Sequence, residues 1–454
     1  MSIGNKKLRG LSISGIGNAM QKFVNVIYRR IFHEEISSDV QIFLKNLLYV
    51  GVATVISTLC TSIFNIMGGR WLGPEEYGKY ILIQSIAMFL YIPMELGFNT
   101  AMLKYTSEKS DYQRQSNIII STLLLASLMT VLTIIIYFIV GSLLAHLFAI
   151  PLTLFYLSVV FAALFVFYAL TTSALRGLNR MRAYSIFQIV YGAVILFSFL
   201  ALILIKQLSF KTMIFPMLLS YALVIILIYI FFIRKLAKWK FDLAISKMLS
   251  KYSLMSALGG LSYTFYTNID RIMISKYMTV TDVGIYAAYY MASVNVAGLF
   301  WGMFNLVFFP TISGYQNKAP IFKKINKFIP YLIGLGIPFV FFCEFVILKF
   351  YGAKYSLNLF WMLYFAVASI CIVIDGLYAW LLQAIGLHGA RITAFSAVAI
   401  AVINAGLNLT LIPKFGIPGA IISLIISYVI AIVMKLIVGR NYLSKGVDKE
   451  ASGI

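Results

Sequence analysis

Residues Arg70–Tyr80 read RWLGPEEYGKY, and residues Lys276–Tyr286 read KYMTVTDVGIY. At an offset of 206 residues, Gly78 and Tyr80 fall on Gly284 and Tyr286. Arg70/Lys276, Trp71/Tyr277, Leu72/Met278 and Glu76/Asp282 match in kind. A second pair agrees: Arg176–Arg182 (RGLNRMR) lies over Ile385–Arg391 (IGLHGAR) at an offset of 209, aligning Gly177/Gly386, Leu178/Leu387 and Arg182/Arg391. Two separate matches at nearly one offset predict a chain built from two copies of one unit.

The flanks of these motifs say what the unit is made of. Hydrophobic residues make up 61% of the chain and charged residues 11%, and the mean hydropathy is +0.92. A water-soluble domain is about half apolar and a quarter charged. The apolar residues come in runs such as Ile118–Val140 and Ile417–Val438, long enough to cross about 30 Å of hydrocarbon as helices. Gly, Pro and charged clusters separate the runs. Spans are predicted at 46–67, 80–103, 117–142, 152–174, 185–205, 212–233, 253–275, 283–312, 328–350, 359–383, 390–412 and 417–438. The expected fold is all-α and integral to the membrane: twelve helices in two six-helix repeats around a central cavity. Six is even, so both repeats enter from the same side and their twofold axis lies along the membrane normal. No short apolar segment with a small-residue cleavage site opens the chain, so the first span is expected to direct insertion.

The net charge of +22 reads as topology rather than as nucleic-acid binding. One side of the membrane collects 28 of the 37 Lys and Arg, and positive residues stay in the cytoplasm. That side holds both ends of the chain, so both termini are predicted cytoplasmic in a cell (inner, cytoplasmic) membrane. The division that follows is a cytoplasmic segment 1–45, a first lobe 46–233, a basic linker 234–252, a second lobe 253–438 and a tail 439–454. Ile16, Met20, Phe23, Val24, Ile27 and Ile31 fall at helical spacing, with Lys22, Arg29 and Arg30 off that line. This predicts an amphipathic helix on anionic membrane lipid; a solvated basic tail is the alternative. Cys60, Cys343 and Cys371 lie in apolar runs and are expected to be packing residues, with no disulfide or metal role.

Ionisable residues inside spans are costly in hydrocarbon, by about 2.5–3.5 kcal/mol on insertion scales, so they face cavities or partners. This chain places Glu95, Asp270, Arg271, Glu344 and Asp375 there. In span seven Thr264, Thr267, Asn268, Arg271 and Ser275 share one face, predicting a wet cavity between lobes; a structural polar network is the alternative. Asp270 and Arg271, about 100° apart on the helix, need separate partners. Tyr91, Glu95 and Asn99 share a face of span two beside Pro93, an expected kink. Asn295, Gly298, Gly302 and Asn305, and likewise Ala397, Ala401, Asn404 and Asn408, read as packing seams. Asp375 sits where it could face the cavity, and Glu344 close enough to the outer end to reach the interface. No phosphate-binding loop of the G-x-x-x-x-G-K-[ST] kind, metal-binding helix or Ser-His-Asp set is visible, and the outer loops are short, so an enzyme is not expected.

The stretches GRWLGPEEYGKY, NIDRIMISKYMTVTDVGIYAAYYMAS (Asn268–Ser293) and LLQAIGLHGARITAFSAVAIAVINAGLNLTLIPKFGIPGAIISLIISY (Leu381–Tyr428) resemble the polysaccharide (Wzx-type) flippases of the multidrug/oligosaccharidyl-lipid/polysaccharide exporter superfamily. The resemblance runs from about residue 45 to 440. It implies two six-helix lobes around a hydrophilic cavity and movement of a polyprenyl-linked oligosaccharide from the inner to the outer leaflet. It also implies coupling to an H+ or Na+ gradient and partners in polysaccharide polymerisation or export. On this reading Arg271, Asn268, Thr267, Thr264, Lys276, Arg70 and Asn99 are the expected substrate-binding residues. Glu95, Asp270 and Asp375 are the expected ion-coupling carboxylates. No cofactor is expected beyond that ion. A cation-coupled multidrug or small-molecule antiporter is the alternative, and it calls for an acidic cavity.

Overall fold

The computed structural model describes residues 38–108, 111–205, 208–236, 242–302, 304 and 319–444. The amphipathic stretch Ile16–Ile31, Asn305, Lys238 and Lys240 of the basic linker, and the tail from 445 lie outside the described residues. All regular structure among the described residues is helical. The helices are α1 (Ser38–Leu72), α2 (Pro74–Glu95), α3 (Phe98–Ser107), α4 (Tyr112–Leu147), α5 (Leu152–Gly177), α6 (Met181–Leu204) and α7 (Lys211–Phe231). They are followed by α8 (Leu243–Tyr277), α9 (Val280–Gly302), α10 (Ala319–Tyr351), α11 (Leu359–Gln383), α12 (Leu387–Phe415) and α13 (Ile417–Ser444).

Ten of these are long and apolar enough to cross a bilayer, and the bent pair α2–α3 makes an eleventh crossing. The remaining helix is α8, whose 35 residues would run about 52 Å at 1.5 Å per residue. It joins the end of the bundle where α7 finishes to the end where α9 begins, so it must traverse. Its polar stripe is what lowers its apolarity. The chain is therefore a multi-pass membrane protein with the expected number of crossings. Several helices outrun the expected spans, because apolarity marks only the hydrocarbon while the backbone ladder continues through the headgroups. Span two departs most: it breaks at Leu96 (φ 46) and Gly97 (φ 78), and its halves meet at 58°. Pro93 withholds an amide proton just before the break. Helix α4 packs against the break, where Tyr137 donates to Leu90 O at 3.1 Å and Thr133 to Pro93 O at 3.4 Å.

Helices α1 to α7 pack on one another (α1 on α6, α2 on α5, α6 on α7), and α8 to α13 do likewise (α8 on α12, α12 on α13, α10 on α11). Between the bundles α2 packs along both α8 and α9. The repeated motif explains that seam. Gly73, with φ 85, leads into α2 with Pro74 in its first turn and Glu75 and Glu76 beside the helix dipole. The same start in the second copy is a capping box, Thr279 with Asp282. One turn on, a Cβ on Gly78 would lie 2.0 Å from Val280 O, and a Cβ on Gly284 would lie 2.0 Å from Pro74 O. The matched glycines thus face each other where α2 and α9 cross backbone to backbone.

Candidate functional site

The glycine crossing is one part of a seal that closes the two lobes at the end of the bundle carrying Gly73 and Thr279. The Tyr77 and Tyr351 hydroxyls lie 3.3 Å apart. Tyr355 donates to Gly69 O at 3.1 Å, and Arg70 donates to Phe350 O at 3.3 Å. Arg70 is thereby part of the seal, while Lys276 stands exposed at the same end, 6.0 Å from the Tyr277 ring. At the other, basic end, a cleft of about 470 Å³ lies between the lobes, lined by Asp111, Arg114 and Asn117 at the start of α4 and Asp242 and Met248 at the start of α8. The lobes also part unevenly around their axis. Helix α2 packs along α8, whereas its symmetry counterpart, α9 over Val280–Asn295, meets α1 at few positions.

The polar stripe of α8 forms a ladder. Arg271 Nη1 donates to Asn268 Oδ1 at 3.3 Å. Asn268 Nδ2 donates to Thr267 Oγ1 at 2.9 Å and to Thr264 O at 3.2 Å. Thr264 and Asn268 are buried, and Thr267 and Arg271 are half-buried. The guanidinium lies 4.9 Å from the Tyr290 ring, on a helix that packs along α2 of the first lobe. Its Nε is buried without a hydrogen-bond partner among the described residues, and no carboxylate pairs with it there. A guanidinium offers five N–H donors in a fixed fork, so most of this one's capacity is unspent at the meeting of α8, α9 and α2.

Asp270 turns the other way, into the second lobe. It accepts from Tyr286 at 2.7 Å and from Asn408 Nδ2 at 2.6 Å, while Asn408 also reaches Asn404 Oδ1 at 3.2 Å. The helical seam of Asn404 and Asn408 is therefore a wall of the Asp270 site as well as a packing surface. Asn408 Oδ1 and Asn404 Nδ2 are buried with no partner among the described residues. Tyr286, invisible as a site residue in the sequence, could have been found from its place in the repeat.

The other named residues fall elsewhere. Glu95 accepts from the backbone of Gly97 at 2.8 Å and from that of Asn99. It caps α3 at the break in span two, while the Asn99 Oδ1 is buried without a partner among the described residues. Asp375, on α11, is ion-paired with Lys435 of α13, and both are buried. Lys435 escaped the sequence reading because it sits in an apolar run near the end of its span. Glu344, expected near the interface, is instead 0% exposed. Of the expected residues, the structure thus gathers Thr264, Thr267, Asn268 and Arg271 and separates Glu95, Asp270 and Asp375 into three sites. Among the described residues no group of three or more His, Cys, Asp or Glu could hold a metal ion.

The sequence matches the family described as "Polysaccharide biosynthesis protein" over residues 43–316, more than half of the chain. No curated protein matches it significantly. Among solved structures, an inward-facing multidrug resistance MATE family transporter of the MOP superfamily superposes with a TM-score of 0.65 at 14% identity, over 86% of this chain and 95% of the other. The lipid II flippase MurJ, in an inward closed conformation, gives 0.62 at 16% identity over 87% of each chain. A MOP superfamily transporter from Pyrococcus furiosus, described by the reversed polarity of its binding pocket, gives 0.54 at 15% identity over 90% of this chain and 99% of the other. The fold is that of these transporters.

Proposed function

The chain belongs to the polysaccharide biosynthesis protein family, and on that premise we propose that it moves a polyprenyl-linked oligosaccharide from the cytoplasmic to the outer leaflet by alternating access. The observation that carries the reading is Arg271: a half-buried guanidinium with unspent donors, placed where the lobes meet. Such a lipid carries a phosphate or pyrophosphate next to its glycan, and Arg engages that group through paired N–H donors. Asn268 holds the guanidinium, Thr267 and Thr264 hold Asn268, and the three offer hydrogen bonds to sugar hydroxyls. The basic end faces the cytoplasm, so the cleft between α4 and α8 is the entry and the glycine seal closes the exit. The tail stays in lipid and follows the head along the sparse α1–α9 side.

The Asp270 site is the proposed seat of the coupling ion, H+ or Na+. One carboxylate and two asparagine amides give oxygen donors of the hard kind that such a cation takes. Ion binding drives transport only if the ion binds one lobe arrangement better than the other. The alternative, an antiporter of organic cations, needs carboxylates free in the cavity. Glu95 caps a helix and Asp375 is paired, while Arg271 keeps unspent donors where α8 packs along α2, which favours an anionic cargo. The product side would supply polysaccharide polymerisation or export machinery.

The test is leaflet exchange of a labelled polyprenyl-linked oligosaccharide in proteoliposomes, with and without an ion gradient. A hydrogen bond to a charged group contributes about 1.5–3 kcal/mol, so Arg271→Ala should slow exchange on the order of 10- to 100-fold at unchanged protein level. Arg271→Lys should recover part of it. Full activity of Arg271→Ala ends this assignment.

A further inference from the structure

Glu344 has no place in the site above, yet it is the least expected group in the molecule. It is 0% exposed, and neither carboxyl oxygen has a hydrogen-bond partner among the described residues. An ionised carboxylate cannot be kept so isolated in an apolar interior; it takes up a proton instead. Among the described residues no cation pairs with it. Lys349 on the same helix lies over the Phe345 ring at 4.3 Å, and Arg70 of α1 is bonded to Phe350 O. Other titratable side chains include Tyr289 on α9, Tyr364, Cys371 and the paired Asp375 on α11, Cys60 on α1, and Cys343 and Tyr351 on its own helix. None of these is a cation.

Its position gives the carboxyl a task. Glu344 and Tyr351 are seven residues apart on α10, two turns along one face. Tyr351 is the second-lobe half of the tyrosine contact in the seal, so Glu344 lies directly beneath that seal. The Tyr289 hydroxyl, on α9 packed against α10, donates to Ser356 O and accepts from Asn358 N at 2.9 Å. Those two residues belong to the short loop between α10 and α11, which is solvent-facing at Ser356. Just past Tyr289, α9 contains a π-helical turn, Met291–Asn295, packed on α10 and α11; such turns mark places where a helix can re-register.

We propose that Glu344 is a proton-binding site that must be filled for the seal to close. With the lobes parted, water reaches the carboxyl through the Tyr289 loop and it ionises. Closing then requires a proton from the Gly73 side, because the sealed pocket holds the neutral acid only. The ligand is a proton rather than a metal cation, since a metal cation needs several oxygen ligands and the carboxyl has no polar companions among the described residues. The coupling to transport, though not the protonation itself, rests on the flippase reading.

The experiment uses the full chain in nanodiscs, with spin labels on Glu75→Cys and Lys354→Cys across the seal and the three native cysteines replaced. In the parent protein the label separation should lengthen as the pH rises. In Glu344→Gln, a neutral isostere of the acid, it should stay short at every pH. Difference infrared spectra of unlabelled protein should show a protonated-carboxyl band that Glu344→Gln removes. Retention of the pH response in Glu344→Gln, or no such band, overturns the proposal. If the pH response and the band are present but the parent moves no lipid-linked glycan, the proton site stands and the flippase reading falls. If glycan exchange runs while Glu344→Gln keeps the full pH response, the reverse holds.

Discussion

Adding one methyl group at Gly78 should push the lobes apart at the sealed end. A Cβ there meets the backbone oxygen of Val280 at 2.0 Å, where ordinary contact begins at 3.4 Å. A backbone carbonyl inside a helix cannot swing away as a side-chain tip can. The crossing must therefore open by about 1.4 Å, or the seal must yield as a unit. Overpacking of this kind costs typically about 1–3 kcal/mol, which multiplies the ratio of open to closed forms by about 5 to 150. Gly284 meets Pro74 O at the same 2.0 Å, so Gly284→Ala should act alike. Once the first methyl has parted the helices, the second has less to overcome, so the double variant should fall well short of additivity. The assay is the label separation between Glu75→Cys and Lys354→Cys, read beside the thermal stability of each variant. Longer separations in both single variants, at near-parental melting temperature, are the expected result. An effect of one glycine alone, or unchanged separations in both, would refute the account of the repeat as a closing seam.

Removing Lys435 alone should be severe, because Lys435→Met leaves Asp375 buried and unpaired at a cost of about 3–5 kcal/mol; Lys435→Met with Asp375→Leu should restore most of the thermal stability. Glu95→Ala removes both acceptors of the α3 start and should lower the melting temperature by an amount equivalent to about 1–2 kcal/mol, while Glu95→Gln, which keeps one acceptor, should lose less. Asp270→Asn should abolish stimulation of exchange by the ion gradient and leave gradient-free exchange measurable, since Arg271 and its ladder are untouched; gradient-driven exchange at the parental rate in Asp270→Asn would place the ion elsewhere.

Much of this molecule can be read from its residues in order. The count of crossings and the twofold plan follow from the length of apolar runs and a repeated eleven-residue motif. Each of these is a local or additive property, and the bilayer imposes the same demand on every segment. The face of α8 bearing Thr264, Asn268 and Arg271 was legible for the same reason, since helical spacing alone puts those side chains together. The separate partners expected for Asp270 and Arg271 follow from the angle between neighbours on a helix.

What no spacing rule reaches is which distant side chain ends up beside which. Glu95, Asp270 and Asp375 look alike in sequence as acids within apolar runs. Only the packed bundle makes one a helix cap, one the centre of an amide-lined site and one half of an ion pair with Lys435. Glu344 differs from them by having no hydrogen-bond partner among the described residues, a property of its surroundings rather than of its own segment. The chain alone settled what must lie in the membrane, because transfer from water to hydrocarbon is a sum over residues. The tertiary structure settled the fate of each charge, because that depends on groups brought within about 3 Å of one another from remote parts of the chain.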